Sequence, residues 1–172
     1  MRTWEEVRED FPILKEKIHG KDLIYLDNAA TTQLPQQVLD CFVEHYTKYN
    51  ANVHRGIHYL SELSTMHMEA VRDKLKAFLH AEDQGEIIFT SGATDSANLV
   101  AQSFLRHVLQ PGDVVLSTEL EHHANFVVWQ QVCQECGAEF HMIPTVDGEL
   151  DMDAAHKMLS DKVKLLAVTA VS

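Results

Sequence analysis

From Glu86 onward, short apolar runs of β character alternate with segments whose apolar residues recur at helical spacing, and this alternation limits the fold more than any other feature. The runs are EIIFT (Glu86–Thr90), Val114–Ser117, Ala138–Ile143 and Lys164–Val171. Between them lie a helical stretch through Ala97, Val100, Ala101, Phe104 and Val108, another over Asn125–Cys136, and a short one from about Asp151 to Leu159. Pro111-Gly112-Asp113, Gly137 and Asp147-Gly148 supply the turns. Parallel neighbours in a sheet need a crossover, usually a helix, so the expected class is α/β: a three-layer, doubly wound, mainly parallel sheet. The run KLLAVTAVS (Lys164–Ser172) is nearly all apolar, as a strand buried on both faces is. A central strand with no following crossover leaves a sheet unfinished, and the expectation is therefore the front part of a larger α/β protein.

Earlier in the chain, Pro35 opens a helical segment with Val38, Phe42, Tyr46 and Tyr49 at matching spacing. A second helix is expected from about Ser61 to Leu79, burying Leu63, Val71, Leu75 and Phe78. No repeat, low-complexity tract or Pro/Gly-rich linker interrupts the chain. Residues 1–22 read as an N-terminal helical segment and 23–172 as the front of one large domain.

Charge narrows the partners. Fourteen Lys plus Arg against 26 Asp plus Glu give a net charge of −12, and five arginines and nine lysines scattered along the chain form no basic stripe. Nucleic acid and a basic membrane-surface helix are both disfavoured. No apolar run approaches the roughly 20 residues of a spanning helix, and MRTWEEVREDFPILK carries acids where an export signal is apolar, so a cytoplasmic protein is expected. The three cysteines, Cys41, Cys133 and Cys136, are then expected to be reduced thiols.

In open α/β sheets ligands bind beyond the carboxyl ends of the strands. After EIIFT comes Ser91-Gly92-Ala93-Thr94-Asp95-Ser96, small, hydroxylated and leading into a helix. Backbone N–H groups at that helix start, with the Thr94 hydroxyl, make an anion site suited to a phosphate; the alternative is a helix start capped by Ser91 or Thr94. The absence of G-x-G-x-x-G and of a P-loop lysine disfavours a nucleotide phosphate. After Val114–Ser117 come His122 and His123, suited to acid/base chemistry or to an aromatic stacking face. A zinc reading through these two and Cys133-x-x-Cys136 is disfavoured, since no second C-x-x-C accompanies it, and no metal is expected. The Asn52–His58 loop carries His54, Arg55 and Gly56, and its guanidinium suits a carboxylate, although a solvated connector has the same composition. Asp27–Thr32 reads from its residues as a turn.

Taken in order, YLDNAATT (Tyr25–Thr32), NVHRGIHYLS (Asn52–Ser61), FTSGATDSANLVA (Phe89–Ala101), EHHANFVVWQ (Glu121–Gln130) and LLAVTAVS resemble blocks of the cysteine desulfurases. These are pyridoxal-phosphate enzymes of the class V aminotransferase group, and the resemblance is to the type that supplies sulfur for SUF iron–sulfur assembly. It implies fold type I, with residues 23–172 as the front of the large, cofactor-binding domain. It implies that Ala93 and Thr94 hold the cofactor phosphate and that His122 stacks on the pyridine ring and takes part in proton transfer. It also implies that Ala29 and Ala30 line the substrate cysteine, and that His54 and Arg55 lie near the substrate entrance and the dimer interface. Asp95 stands where relatives often have Glu.

The implied reaction removes the α-proton of L-cysteine and passes its sulfur to an enzyme cysteine, releasing L-alanine. A homodimer and a SUF-type sulfur acceptor are the implied partners. The Schiff-base lysine, the aspartate that pairs with the pyridine nitrogen and the persulfide cysteine belong to blocks beyond Ser172, so the 172 residues are expected to be inactive alone. The alternatives are a selenocysteine lyase or other class V enzyme, and a non-catalytic fragment that dimerises with or regulates a longer relative.

Overall fold

The computed structural model describes residues 2–171, in two compact units that divide between Ile87 and Ile88. In the first, a capping box starts α1 (Trp4–Arg8): the Thr3 hydroxyl accepts the Glu6 N–H and the Glu6 carboxylate accepts the Thr3 N–H. A 3-10 turn at Pro12–Lys15 and an antiparallel pair, β1 (Lys17–Ile18) and β2 (Lys21–Asp22), complete the first 22 residues. The segment opened by Pro35 forms α2 (Gln36–Glu44), prolonged by a π turn over His45–Tyr49. The second expected helix is α3 (Tyr59–Leu79), ended by His80 in the left-handed conformation.

The stripe expected to be buried on α3 is only partly covered: Leu63 and Leu75 are half-buried. Phe78 is 79% exposed and Val71 is also exposed, whereas Ser61 and Ser64 are buried. Those hydroxyls explain the choice of face: Ser61 donates to the Asn52 carbonyl and Ser64 to the Tyr49 carbonyl, so α3 packs its polar face on the backbone of 49–52. Gly56 follows, where a β-carbon would overlap the Ser61 side chain and only glycine fits.

The second unit is the α/β part. One helical body runs from α4 (Ala93–Val100) through a π turn (Ala101–Leu105) into α5 (Arg106–Val108). Strand β3 (Val114–Thr118) lies in the middle of a parallel three-stranded sheet, between β4 (Glu139–Ile143) and β7 (Val163–Leu166). Helix α6 (Val127–Cys136) crosses from β3 to β4, capped by Gly137 at φ 71°. A hairpin of β5 (Thr145–Val146) and β6 (Glu149–Leu150) turns at Asp147-Gly148, both with positive φ, and α7 (Met152–Met158) leads to β7. Val115 and its cross-strand neighbours Phe140 and Leu165 share one face of the sheet, against Ala101, Leu105 and Leu109 of the first helical body and Val128, Trp129, Val132 and Cys133 of α6.

Two expected strands differ. EIIFT forms no sheet ladder among the described residues: Gln84–Glu86 is a 3-10 turn and 87–90 runs on without pairing into a sheet. The Ile87 carbonyl instead accepts from the Arg72 guanidinium. The last run is a strand only to Leu166; the Ala167 N–H still reaches the Leu116 carbonyl of β3 at 2.9 Å, and the Thr169 N–H then goes to Glu121 rather than to a strand. Ser172 lies outside the described residues. The class stands as α/β with a parallel sheet.

Candidate functional site

The site expected after EIIFT begins at Gly92, whose φ of 144° and ψ of −179° lie in a region that only glycine occupies without strain. It is Gly92, rather than Ser91 or Thr94, that stands at the cap position, and its carbonyl accepts the Ser96 N–H at 3.0 Å. Side chains take up the loop's other groups. Asp95 Oδ2 accepts the Ser91 N–H at 3.0 Å, the Thr90 and Ser96 hydroxyls share a 2.7 Å bond, and the Asn98 amide donates to the Thr94 carbonyl at 2.8 Å. Asp95, noted in the sequence only as a departure from Glu, thus closes the loop onto its own helix start. Ala93 and Thr94 are the first two helical residues, where backbone N–H groups have no partner within the helix and the helix dipole favours an anion.

Across this loop stands His122, next to the carboxyl end of β3. Ser91, Gly92, Ala93, Thr94, Asp95, Asn98, His122 and Ala124 line one recess of about 590 Å³. The structure therefore brings Ala93, Thr94 and His122 together in one unit. His122 Nδ1 accepts the Ala124 N–H at 3.1 Å, which places the proton of the neutral ring on Nε2. The same turn is held by the Asn125 N–H on the His122 carbonyl at 2.8 Å. His123 is edge-on to His122, with ring centroids 6.2 Å apart, and lines a separate recess with Thr118, Phe126 and Met142.

Ala29, Ala30, His54 and Arg55 belong to the first unit. Ala29 and Ala30 lie in an exposed turn in which the Ala30 and Thr31 N–H groups reach the Asp27 carbonyl and the Tyr25 hydroxyl spans to the Thr31 carbonyl at 2.8 Å. His54 adopts φ 64°, its N–H donates to Thr65 Oγ1, and its ring lies 3.3 Å from Glu69, which also faces Arg72. Arg55 is exposed and makes no ion pair among the described residues. No hydrogen bond joins the Ala29–Ala30 turn to the His54–Arg55 loop among the described residues.

Of the three cysteines, Cys133 is buried as a small hydrophobe, Cys136 is half-buried and Cys41 is exposed. Burial pushes the Cys133 thiol up to about 11, with Cys136 adding to the rise, so it is a poor nucleophile and a poor metal ligand. Among the described residues no three His, Cys, Asp or Glu side chains form a group that could hold a metal ion, so His122, His123, Cys133 and Cys136 do not assemble the zinc alternative. No helix among the described residues is long and apolar enough to cross a membrane.

Sequence reasoning passed over Glu121 and Asn125. Glu121 Oε1 accepts from the Thr118 hydroxyl and the Thr169 N–H, and Oε2 accepts from the Asn125 amide. Asn125 in turn accepts from the Trp129 indole. The available signal was the Glu, Asn, Trp spacing of four and four over a helical turn, but Thr169 is 48 residues from Glu121 and no local pattern announces it.

Residues 24–172 match the family described as Aminotransferase class-V. A probable cysteine desulfurase of Halobacterium salinarum is 48% identical over 170 residues, covering 98% of this chain and 41% of that protein. Among solved structures, the apo cysteine desulfurase of Thermococcus onnurineus NA1 is similar with a TM-score of 0.89 at 39% identity, over 100% of this chain and 41% of its own. The cysteine desulfurase CsdA of Escherichia coli gives 0.79 at 33% identity, over 96% and 41%. The chain thus spans about two fifths of the length of the curated relatives it matches. A match that takes in both the Gly92–Thr94 helix start and His122 accounts for the recess they share, and this chain belongs to the class-V aminotransferase family.

Proposed function

We propose that this chain supplies the cofactor-phosphate cradle, the ring-stacking histidine and part of the substrate wall of a pyridoxal-phosphate-dependent cysteine desulfurase of the SUF type. The observation that carries the reading is the shared recess: a glycine-dependent helix start bearing Ala93 and Thr94, faced by His122. The residues present fit the cofactor. Gly92 holds a conformation that leaves the helix start open, and a recess of about 590 Å³ has room for a phosphorylated pyridine. When bound, pyridoxal phosphate supplies an electron sink for the charge left when a substrate loses its α-proton.

The chain's own residues do the rest. The N–H groups of Ala93 and Thr94 and the Thr94 hydroxyl bind the phosphate dianion, favoured by the helix dipole. His122 offers its ring face to the cofactor and, with Nδ1 engaged by Ala124, exchanges a proton at Nε2. Ala29 and Ala30 line the substrate cysteine with backbone. Arg55, with no ion pair of its own among the described residues, offers a bidentate fork to the substrate carboxylate, and His54, braced by Glu69, supports that loop. Residues 23–172 form the front of the large domain, in a cytoplasmic homodimer that passes sulfur from L-cysteine to a SUF-type acceptor. The 172 residues hold the phosphate and stack on the ring but carry no covalent step.

Titration of the chain with pyridoxal phosphate, followed by borohydride reduction and intact mass, tests this. Saturable binding is expected, weakened about tenfold by Thr94→Ala through loss of a charge-assisted hydrogen bond. The reduced chain is expected at its bare 19.5 kDa, with no alanine released from L-cysteine. Binding indifferent to Thr94→Ala overturns the cradle, and alanine released by these 172 residues overturns the assignment of the covalent step elsewhere.

A further inference from the structure

Three donors converge on the Glu121 carboxylate. Oε1 accepts from Thr118 Oγ1 at 2.9 Å and from the Thr169 N–H at 2.7 Å, and Oε2 accepts from Asn125 Nδ2 at 2.7 Å. The direction of one bond to each oxygen is set from outside. Thr169 offers a backbone amide, which only donates. Thr118 Oγ1 accepts the Leu120 N–H at 3.2 Å and keeps its own proton for Oε1, an oxygen that the Thr169 N–H already makes an acceptor. Asn125 cannot turn its amide round, because its Oδ1 accepts from Trp129 Nε1 at 3.0 Å, and an indole nitrogen only donates. The position therefore demands an acceptor at both oxygens, which a carboxylate is and an amide is not. Thr118 and Trp129 are buried, so water does not relieve a mismatch there.

The same residues grip His122. Asn125, tied to Glu121 by its side chain, donates its N–H to the His122 carbonyl, and Ala124 between them donates to His122 Nδ1. Glu121, His122, Ala124, Asn125 and Thr169 also line one recess with Ala93. We propose that Glu121 is a positioning residue of the cofactor site, an acceptor-only clamp that joins the end of β3, the His122 turn and the segment after β7 so that the His122 ring keeps its place in the recess it shares with Ala93 and Thr94. This rests on the reading of that recess as the cofactor site.

The directional argument yields a swap. Glu121→Gln sets an amide donor against one of the three donors, and Asn125→Asp sets a carboxylate against the Glu121 carboxylate. The double variant E121Q/N125D restores every bond. The side-chain carbonyl it places at position 121 faces Thr118 and Thr169, while the accompanying amide donates to the new carboxylate at position 125, which still accepts from Trp129. The full chain is measured three ways: pyridoxal phosphate affinity by fluorescence, the ring ¹⁵N signals of His122 by NMR, and thermal unfolding. Each single variant is expected to weaken cofactor binding about tenfold and to shift the His122 ring signals away from the Nδ1-acceptor pattern. The double variant is expected within about twofold of the parent, with the parent's ring signals.

Losses that multiply in the double variant overturn the proposal. So do single variants that lower the unfolding temperature while the His122 signals stay unchanged, since that is a fold contact and nothing more. If the parent chain fails to bind pyridoxal phosphate, the cofactor reading fails separately, and the ring signals of the three variants still decide the role of Glu121.

Discussion

Replacing Gly92 by alanine isolates one physical quantity, the cost of an L side chain at φ 144° and ψ −179°. A β-carbon built there meets no atom within 4 Å, so no collision adds to the conformational penalty. Non-glycine residues in such sparsely populated regions cost about 1–3 kcal/mol. If the loop keeps its shape, the whole penalty appears as lost stability, about 2 kcal/mol, or a fall in Tm of roughly 4–8 °C for a chain of this size. If the loop instead relaxes to an ordinary β conformation, stability is spared, but the N–H groups of Ala93 and Thr94 leave the position proposed for the phosphate, and affinity is expected to fall by a comparable free energy, about 30-fold. Thermal unfolding and pyridoxal phosphate titration of the same variant together recover the full penalty. Gly20→Ala is the control: it also has positive φ with open space around it, in the β1–β2 hairpin, and it is expected to lower stability without touching affinity. Unchanged Tm together with unchanged affinity in Gly92→Ala refutes the reasoning.

The core of the second unit offers a paired test in urea. Leu105 is 0% exposed beside Val115 and Trp129, and Leu105→Ala is expected to cost about 2–5 kcal/mol, whereas Phe104→Ala, at a position 55% exposed, costs far less. Equal losses contradict the assigned helix face. Cys133 gives a pH signature. Its thiol rises from 9.0 to about 11 on folding, so the native state holds the proton more tightly, and stability falls as pH climbs from about 9 towards 11. Cys133→Ala is expected to flatten that slope, and iodoacetamide near neutral pH is expected to modify exposed Cys41 while sparing Cys133, as peptide mass mapping reads directly.

Local chemistry made part of this protein legible in advance. The Gly137 stop, the Asp147-Gly148 turn and the small, hydroxylated Ser91–Ser96 segment before a helix each follow from backbone freedom and unsatisfied N–H groups within a few residues. The placement of Thr94 near a helix start and of the His122-His123 pair after a strand end was readable for the same reason, since neighbours in sequence are neighbours in space there; the separate roles proposed for Ala93 and His122 came from the family resemblance.

Other features depended on partners that the local pattern does not name. EIIFT has the composition of a strand, but a ladder needs another strand's N–H and C=O groups, and at 87–90 none are provided in a sheet. The apolar positions of α3 suggested one buried face, yet Ser61 and Ser64 found carbonyls to bond and are buried, while Leu63 and Leu75 are half-buried and Val71 and Phe78 stay exposed. Apolar periodicity identifies a face able to be buried; the backbone lying opposite decides which face is.

The order of residues alone specifies the alternation of strands and helices from Val114 onward, the glycine at position 92 and the helix start that follows it, because these depend on φ and ψ preferences and on interactions a few residues apart. It took the folded chain to settle that Thr169, far along the sequence, donates to Glu121, and that Trp129 orients Asn125 towards the same carboxylate. Hydrogen-bond direction passes from atom to atom through space, so the requirement for an acceptor beside His122 exists only once β3, α6 and the segment after β7 have come together.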